Sequence, residues 1–296
     1  MPKQILLCLL VLLAGQSFAQ NYKGAFNRLL KEKDTAAQRQ LLQTWQQAAP
    51  TDAELFVAYF NYYFRASRQE IVHLSEGDNG NPSLALTDST GSPVGFLSED
   101  FGYDSALLER AFHYINKGIS NYTTRLDMRF GKIYALGQIE NYESFTNEII
   151  TAIELSNKLK SQWAWADNKK LENPETFFLG AIQDYVVQLY NAGDDQLNRM
   201  RRIAQTVLKY YPKHVESLSN LAITYGLQGN YDKALESLLQ AEKIMPRDVI
   251  VLNNIATMYE RKGDKTNAIK YFELTAKLGD KETRNAAVEK LKELKN

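Results

Sequence analysis

The chain has 296 residues with 35 basic and 35 acidic side chains, and 44% of its residues are apolar. This neutral balance gives no electrostatic footprint for binding nucleic acid or an anionic membrane surface. The apolar content and the presence of only seven prolines exclude a disordered chain and are ample for a packed core.

The N-terminus has the pattern of a secretory signal peptide. Lys3 precedes an apolar run from Ile5 to Leu13, and Ser17-Phe18-Ala19 offers a small-x-small cleavage site. The run is too short for a membrane anchor, because a spanning helix needs roughly 20 apolar residues. Lipidation of Cys8 is a second alternative, but no small residue adjoins this cysteine. We therefore expect a signal peptide at 1–19 and a periplasmic or secreted mature protein.

A β-rich insertion interrupts the helical patterns in the first half of the chain. Asp34–Ala49 and Asp52–Ala66 have helical patterns, and the next helix begins near Tyr103. Between them, Ser67–Gly102 contains three β-prone runs separated by turn residues at 78–82 and 88–93. We predict that this segment is a small flap of two or three strands, a β-hairpin insertion within the second helix pair.

Helical patterns continue through the rest of the chain. Between residues 103 and 212, the predicted helices are Tyr103–Ile119, Arg129–Gly137, Tyr142–Lys160, Thr176–Asn191 and Asp194–Tyr211. The last predicted helix, Lys281–Leu294, has apolar residues on one face and Lys and Glu on the other, as expected for a polar cap. The pattern therefore predicts six helix pairs and one closing helix.

The C-terminal third contains a repeat with a period of 34 residues. The stretch Leu218–Tyr225, LSNLAITY, returns as Leu252–Tyr259, LNNIATMY. This period is typical of stacked helix–turn–helix units. Small Ala222 and Ala234 would let two helices approach closely, and Gly229 permits the positive φ that ends a helix.

These residues resemble the tetratricopeptide repeat family. One repeat meets the family pattern at Leu218, Leu221, Ala222, Tyr225, Ala234, Leu238, Ala241 and Pro246. The next repeat departs from the pattern at Thr275 and Asp280. The resemblance implies an all-α fold, a right-handed superhelix or α-solenoid of about six antiparallel helix pairs with a capping helix. It also implies degenerate repeats at 20–175 and better repeats at 176–296, best at 215–248 and 249–282.

The resemblance further implies a concave face lined by the first helix of each pair. We predict partner contacts there at Arg125, Arg129, Lys132, Asn220, Asn253, Asn254, Thr257 and Arg284. Some family members bind a peptide's terminal carboxylate with Lys and Asn side chains. Ser219 and Ile223 stand where such residues would be needed, so we do not expect that mode here. An alternative role for Asn220 and Asn254 is hydrogen bonding between neighbouring helices.

A pair of tryptophans offers a different candidate site. Trp163 and Trp165 follow a predicted helix and precede the polar stretch Asp167-Asn168-Lys169. Two tryptophans in a loop would stack on sugar rings or on another small ligand. The alternative, which we favour, is that they fasten a long connection onto the helices beneath it.

The sequence has no recognisable catalytic or metal-binding motif. Its three histidines, His73, His113 and His214, fall in a predicted strand, a helix and a turn, without metal-ligand spacing. We therefore predict no enzyme activity, no cofactor and no metal. The predicted function is an exported scaffold or adaptor that binds a protein or peptide, and neither nucleic acid nor an integral membrane segment is expected. The alternative function is a glycan- or small-ligand-binding accessory protein of the bacterial envelope.

Overall fold

The computed structural model describes residues 22–77 and 83–295. The predicted signal peptide and the predicted turn residues at 78–82 lie outside these residues. Up to residue 121 the elements are α1 (22–31), α2 (Thr35–Ala48), α3 (Ala53–Ser67), β1 (Arg68–Ser75), β2 (Ser83–Thr87), β3 (Pro93–Tyr103) and α4 (Ser105–Asn121).

The remaining elements are mostly helical. They are α5 (Leu126–Gln138), α6 (Tyr142–Lys158), β4 (Ala164–Trp165), β5 (Lys169–Lys170), α7 (Pro174–Ala192), α8 (Leu197–Tyr210), α9 (Val215–Leu227), α10 (Tyr231–Ile244), α11 (Val249–Lys262), α12 (Lys265–Leu278) and α13 (Lys281–Lys295). The predicted order of six helix pairs and a closing helix is confirmed for the described residues. The all-α class with a small β insertion is confirmed as well.

The helices begin where the sequence supplies a cap. The side chain of Asp34 accepts a hydrogen bond of 2.9 Å from the backbone N–H of Ala37, in the first turn of α2. Such a bond satisfies a helix N–H that has no partner within the helix. The same role is played for six later helices by Asp52, Asp104, Asn141, Asn230, Asp248 and Asp264. Asp and Asn at these positions therefore set the boundaries of successive repeats.

The chain divides into two compact units. The first runs to Ala135 and also includes Ala164–Lys170, and the second comprises Leu136–Trp163 and the described residues from Leu171 onward. In the first unit α3 packs against α2 and α4. The core there is aromatic and aliphatic, with buried Phe26, Leu42, Trp45, Leu55, Tyr59, Phe60 and Ile115. Helix α3 is apolar on nearly all sides, and its Phe56, Tyr59 and Phe60 are buried in this core.

Gly118 shows how closely the helices of the first unit approach. A Cβ atom at this position of α4 would lie 3.0 Å from the Phe56 Cβ of α3 and 3.0 Å from the Met128 Sδ of α5. Real Cβ atoms rarely tolerate contacts as short as these. Glycine therefore permits α4 to lie against both neighbours.

The β insertion is a three-stranded antiparallel sheet with the strand order β1-β3-β2. The longest strand, β3, lies in the centre, so β1 and β2 are both edges. Leu97 in β3 stands opposite Leu74 in β1 and Leu84 in β2. A simple hairpin would have two strands, and here there is a third because β3 pairs with β1 along one edge and with β2 along the other.

In the second unit, each helix from α7 to α12 packs on the next helix in the chain. In addition, α7 contacts α9, and α9 contacts α11. This is the pattern of stacked helix pairs. The small residues predicted to allow close packing, Ala222 and Ala234, are fully buried beside Leu238, Ile255 and Phe272. Gly229 and Gly263 follow α9 and α11 with φ of 76° and 84°. Glycine carries no steric penalty in this left-handed region.

Candidate functional site

Arg125, one of the predicted partner-binding residues, is buried at the start of α5. Only 1% of its side chain is exposed. Its Nη2 lies 2.8 Å from the Glu54 Oε1 of α3 and 2.7 Å from the Asp127 Oδ2, and its Nε donates to the Asp127 Oδ1 over 2.8 Å. Burial disfavours the charged guanidinium, but hydrogen bonds and attraction from Asp127 and Glu54 outweigh it and raise the pKa of Arg125.

The ion pairs around Arg125 extend to two further segments of the first unit. Lys23 in α1 places its Nζ 3.0 Å from the Glu54 Oε2 and 2.6 Å from the Asp167 Oδ1. The backbone N–H of Asp167 donates to the Glu54 Oε1 over 2.8 Å. The hydrogen bond from Lys23 also holds the pKa of Asp167 below its ordinary value. We call these five side chains, Lys23, Glu54, Arg125, Asp127 and Asp167, the charge network.

The charge network gives Arg125 a role within the first unit. It joins α1, α3, the start of α5 and the segment 164–170, which are far apart in sequence. The structure therefore places Arg125 in the interior rather than on an exposed groove. Arg129 is also buried and Lys132 is half-buried, and both make further contacts within the structure. Partner contact by Arg129 and Lys132 stays a prediction.

The predicted asparagines divide into two groups. Asn220 in α9 is buried, and its Nδ2 donates to the Gln183 Oε1 of α7 over 2.6 Å. This bond between helices matches the alternative role considered for Asn220. Asn253 and Asn254 are half-buried on α11, together with Thr257, whose Oγ1 donates to the Asn253 carbonyl over 2.9 Å. Their contact with a partner stays a prediction.

Arg284 lies at the junction of the last two helices. Its Nε donates to the Ala276 carbonyl over 3.0 Å, and its Nη2 donates to the Gly279 carbonyl over 3.3 Å. These carbonyls lie at the C-terminal end of α12, where a cation is favourable and unpaired acceptors need donors. Arg284 thus caps α12, although it remains exposed.

The two tryptophans have different surroundings. Trp163 is 2% exposed, and in the second unit its ring stacks on Phe178 at a centroid distance of 5.8 Å. Its Nε1 donates to the Ser156 Oγ over 3.0 Å. Trp165 is half-buried in the first unit, edge-on to Phe130. The structure therefore gives Trp163 the fastening role and leaves it no open face for stacking on a sugar.

Exposed apolar residues lie on α7, the first helix of its pair in the second unit. Val187 and Tyr190 are 45% and 50% exposed, and Asp184 is exposed one turn earlier. A depression of about 620 Å³ lies on this face of α7. It is lined by Glu140, Tyr142, Asp184, Val187, Gln188, Asn191 and Ala192. Sequence reasoning missed these residues because α7 belongs to a degenerate pair without the motif positions that indicate a binding face.

The first helices of the next two pairs carry comparable stripes. Half-buried Ile223 and exposed Leu227 lie four residues apart on α9, so they share one face. Ile250 is exposed on α11, on the same face as Asn254 and Thr257. We define the first-helix surface as the stripes Asp184, Val187 and Asn191 on α7, Ile223 and Leu227 on α9, and Ile250, Asn254 and Thr257 on α11.

No group of three His, Cys, Asp or Glu side chains within 22–77 and 83–295 is arranged to hold a metal ion. Within the same residues, every helix is too short or too polar to cross a membrane.

Two sequence models of the tetratricopeptide repeat match the chain, at residues 203–236 and 250–278. A TPR repeat-containing protein of Methanocaldococcus jannaschii, MJ1428, is 27% identical over 189 residues. That match covers 54% of this chain and 32% of the length of the archaeal protein, so the chain spans about a third of this relative.

Solved structures with some likeness to the chain include two repeat proteins. YrrB, described as a TPR protein with an unusual peptide-binding site, is 12% identical with a TM-score of 0.43. The likeness covers 84% of this chain and 97% of YrrB. The Yersinia enterocolitica type III secretion translocator chaperone SycD is 15% identical with a TM-score of 0.38, covering 40% of this chain and 85% of SycD.

The family assignment rests on the repeats themselves. The two matched segments fall on α8–α10 and α11–α12, where the structure shows helices packed in succession. The period of 34 residues and the buried small residues at equivalent positions agree with those matches. The second unit therefore contains tetratricopeptide repeats, at residues 203–236 and 250–278.

Proposed function

We propose that the chain is an exported, non-enzymatic scaffold that binds a segment of a partner protein on the first-helix surface of its second unit. The observation that carries this proposal is the exposure of apolar side chains on first helices. Val187, Leu227 and Ile250 are all exposed, whereas the other apolar positions of these helices are mostly buried. Exposed apolar residues beside polar groups are typical of a protein-binding surface.

The chemistry of the surface defines a class of partner. Glu140 and Asp184 place two carboxylates around the depression that contains Val187. Asn254 and Thr257 offer amide and hydroxyl groups on α11. A segment with one or two apolar anchors flanked by Lys or Arg would bury the anchors and complement the carboxylates. We therefore propose a partner segment that is apolar and basic.

Replacement of Val187 by arginine should weaken partner binding at least about 10-fold, because a central apolar contact is lost and a cation faces the basic segment. Displayed peptides selected on the full chain supply the ligand, and fluorescence anisotropy measures its dissociation constant. The control is Gln205→Arg, an equally charged change at an exposed position of α8. Selected peptides that bind the Val187 variant and the parent protein equally tightly would rule out this surface.

Export is the second part of the proposal, and it is supported by the N-terminal pattern alone. When the full chain is produced in a bacterium, we expect a periplasmic protein whose first residue is Gln20. Edman sequencing or intact mass spectrometry of the fractionated protein measures this. A cytoplasmic product that retains residues 2–19 would contradict export, and a mature form carrying lipid on Cys8 would favour the anchored alternative.

A further inference from the structure

One face of the β insertion exposes a cluster of apolar side chains, and Glu70 and Glu99 lie on the same face beyond this cluster. Because side chains opposite one another in an antiparallel sheet share a face, the register places Leu74, Leu97 and Leu84 side by side. Val72 and Leu86 lie on the same face, two residues along their strands. Val72, Leu74 and Leu84 are 63%, 70% and 68% exposed. This sheet face is therefore open, whereas one face of an antiparallel sheet ordinarily packs on a core.

The two edge strands differ in how they are protected. Charged side chains on an edge strand discourage pairing with another chain. β1 carries Arg68 and Glu70, and the guanidinium of Arg68 lies 3.7 Å from the centre of the Phe101 ring. β2, with the sequence Ser83-Leu84-Ala85-Leu86-Thr87, carries no charge and no proline. Of the two edges of this three-stranded sheet, β2 is thus the one that carries no charge.

The sequence of β2 is also symmetric about its centre. On either side of Ala85 stands a leucine, followed by a hydroxyl-bearing residue. If two copies of this strand pair antiparallel about a two-fold axis at Ala85, Leu84 of each copy meets Leu86 of the other. Ser83 then meets Thr87, and Ala85 meets its own counterpart. A C2 interface requires a self-complementary patch of this kind.

We propose that the outer edge of β2 pairs antiparallel with β2 of a second copy of the chain, with the two-fold axis at Ala85. The two three-stranded sheets become one sheet of six strands. Cross-strand Leu84–Leu86 contacts form on the shared apolar face, beside Leu97. No like charges face each other across the axis, because the paired strands are neutral.

A second copy fits this edge better than the basic partner segment proposed for the first-helix surface. A neutral, symmetric strand has no charge with which to select a basic peptide, but it matches itself in register at all five positions. The contact is short, and interfaces below about 1,200 Å² belong to the weak, transient class. The dimer should therefore form and dissociate with concentration rather than persist on dilution.

Disulfide trapping tests the register directly. In a full chain with Cys8→Ser, the change Ala85→Cys introduces the only thiol. Opposed residues in an antiparallel pair have Cα atoms about 4.5–5.5 Å apart, within the range of a disulfide. We expect mild oxidation to yield a covalent dimer on a non-reducing gel. The matched control is Ser83→Cys, exposed on the same strand, whose thiols would be about 13 Å apart at 3.3 Å per residue along β2.

The outcomes distinguish the proposal from other forms of association. Cross-linking at position 85 but not at 83 supports the two-fold axis at Ala85. Equal cross-linking at both positions, cross-linking at 83 alone, or none at either would overturn it.

Sedimentation velocity of the unmodified chain supplies an independent measurement. Between about 1 and 300 μM we expect the mass to rise from one copy toward two, and Leu84→Lys with Leu86→Lys to remove this rise because lysines then face one another. A constant monomer mass over that range would overturn the proposal. So would a foreign peptide that binds at β2 while the chain itself shows no self-association. Hydrogen exchange of α9–α12 in the lysine variant should match the parent, which shows that the repeats remain folded.

Discussion

Replacement of Arg125 by alanine is expected to lower the free energy of unfolding of the first unit by about 3–5 kcal/mol. The guanidinium is buried, and it neutralises the carboxylates of Glu54 and Asp127. Removal of one member of a buried ion pair leaves the other charge without compensation, and this costs far more than the intact pair contributes. Urea denaturation with hydrogen exchange of residues 22–135 measures the effect in the unit concerned.

The control for this prediction is an ion pair on the surface of the same unit. Arg28 lies 3.9 Å from Glu32 on α1, and its side chain is 72% exposed. The change Arg28→Ala should alter the stability by no more than about 0.5 kcal/mol, as for other exposed pairs on a helix. If Arg125→Ala and Arg28→Ala have equally small effects, the charge network does not hold the first unit together. Loss of partner binding by Arg125→Ala at unchanged stability would instead return Arg125 to the binding face.

Replacement of Trp163 by alanine is expected to destabilise the second unit by about 3–5 kcal/mol. The indole is fully buried, stacks on Phe178 and donates to Ser156. Truncation leaves a large cavity, and this is the usual magnitude for Trp or Phe to Ala in a core. The Ser156 Oγ also accepts a hydrogen bond from the Tyr211 hydroxyl over 3.1 Å, so Ser156 keeps one hydrogen-bond partner after the truncation. Thermal unfolding combined with hydrogen exchange of α6–α8 measures the change.

Trp165→Ala is the matched control, because the same residue type lies two positions away and is only half-buried. We expect a smaller loss of stability from Trp165→Ala, confined to the first unit. The alternative, a glycan-binding role for the tryptophans, predicts the reverse pattern. In that case Trp163→Ala would leave the stability unchanged and abolish retention on an immobilised polysaccharide.

The repeat architecture was predictable because its signals are local. Small residues, a glycine and a proline at fixed spacing determine how α9 and α10 pack, and Asp or Asn before each helix marks where it begins. The β insertion was predictable for the same reason, since β-prone runs alternate with turn residues. Its strand order was not, because β3 can pair with either or both of its neighbours and only the fold decides.

The role of Arg125 could not be predicted from the sequence. Its partners include Glu54, 71 residues earlier, and Asn168, 43 residues later, and no pattern links positions at such separations. The sequence of a basic stretch on a first helix is the same whether its side chains face an open groove or a buried carboxylate. Similarly, Val187 follows no family motif, and its exposure emerges only when α7 is packed against α8 and α9.

Site-specific photo-cross-linking at Val187 tests most directly whether the first-helix surface binds a partner segment. A benzophenone amino acid at 187 should form a covalent adduct with a selected peptide, and mass spectrometry should map the adduct to its apolar anchor. The same amino acid at Gln205 should give little adduct, and excess unlabelled peptide should compete with the reaction at 187. Adducts at 205 but not at 187, or equal adducts that excess peptide does not reduce, would contradict binding at this surface.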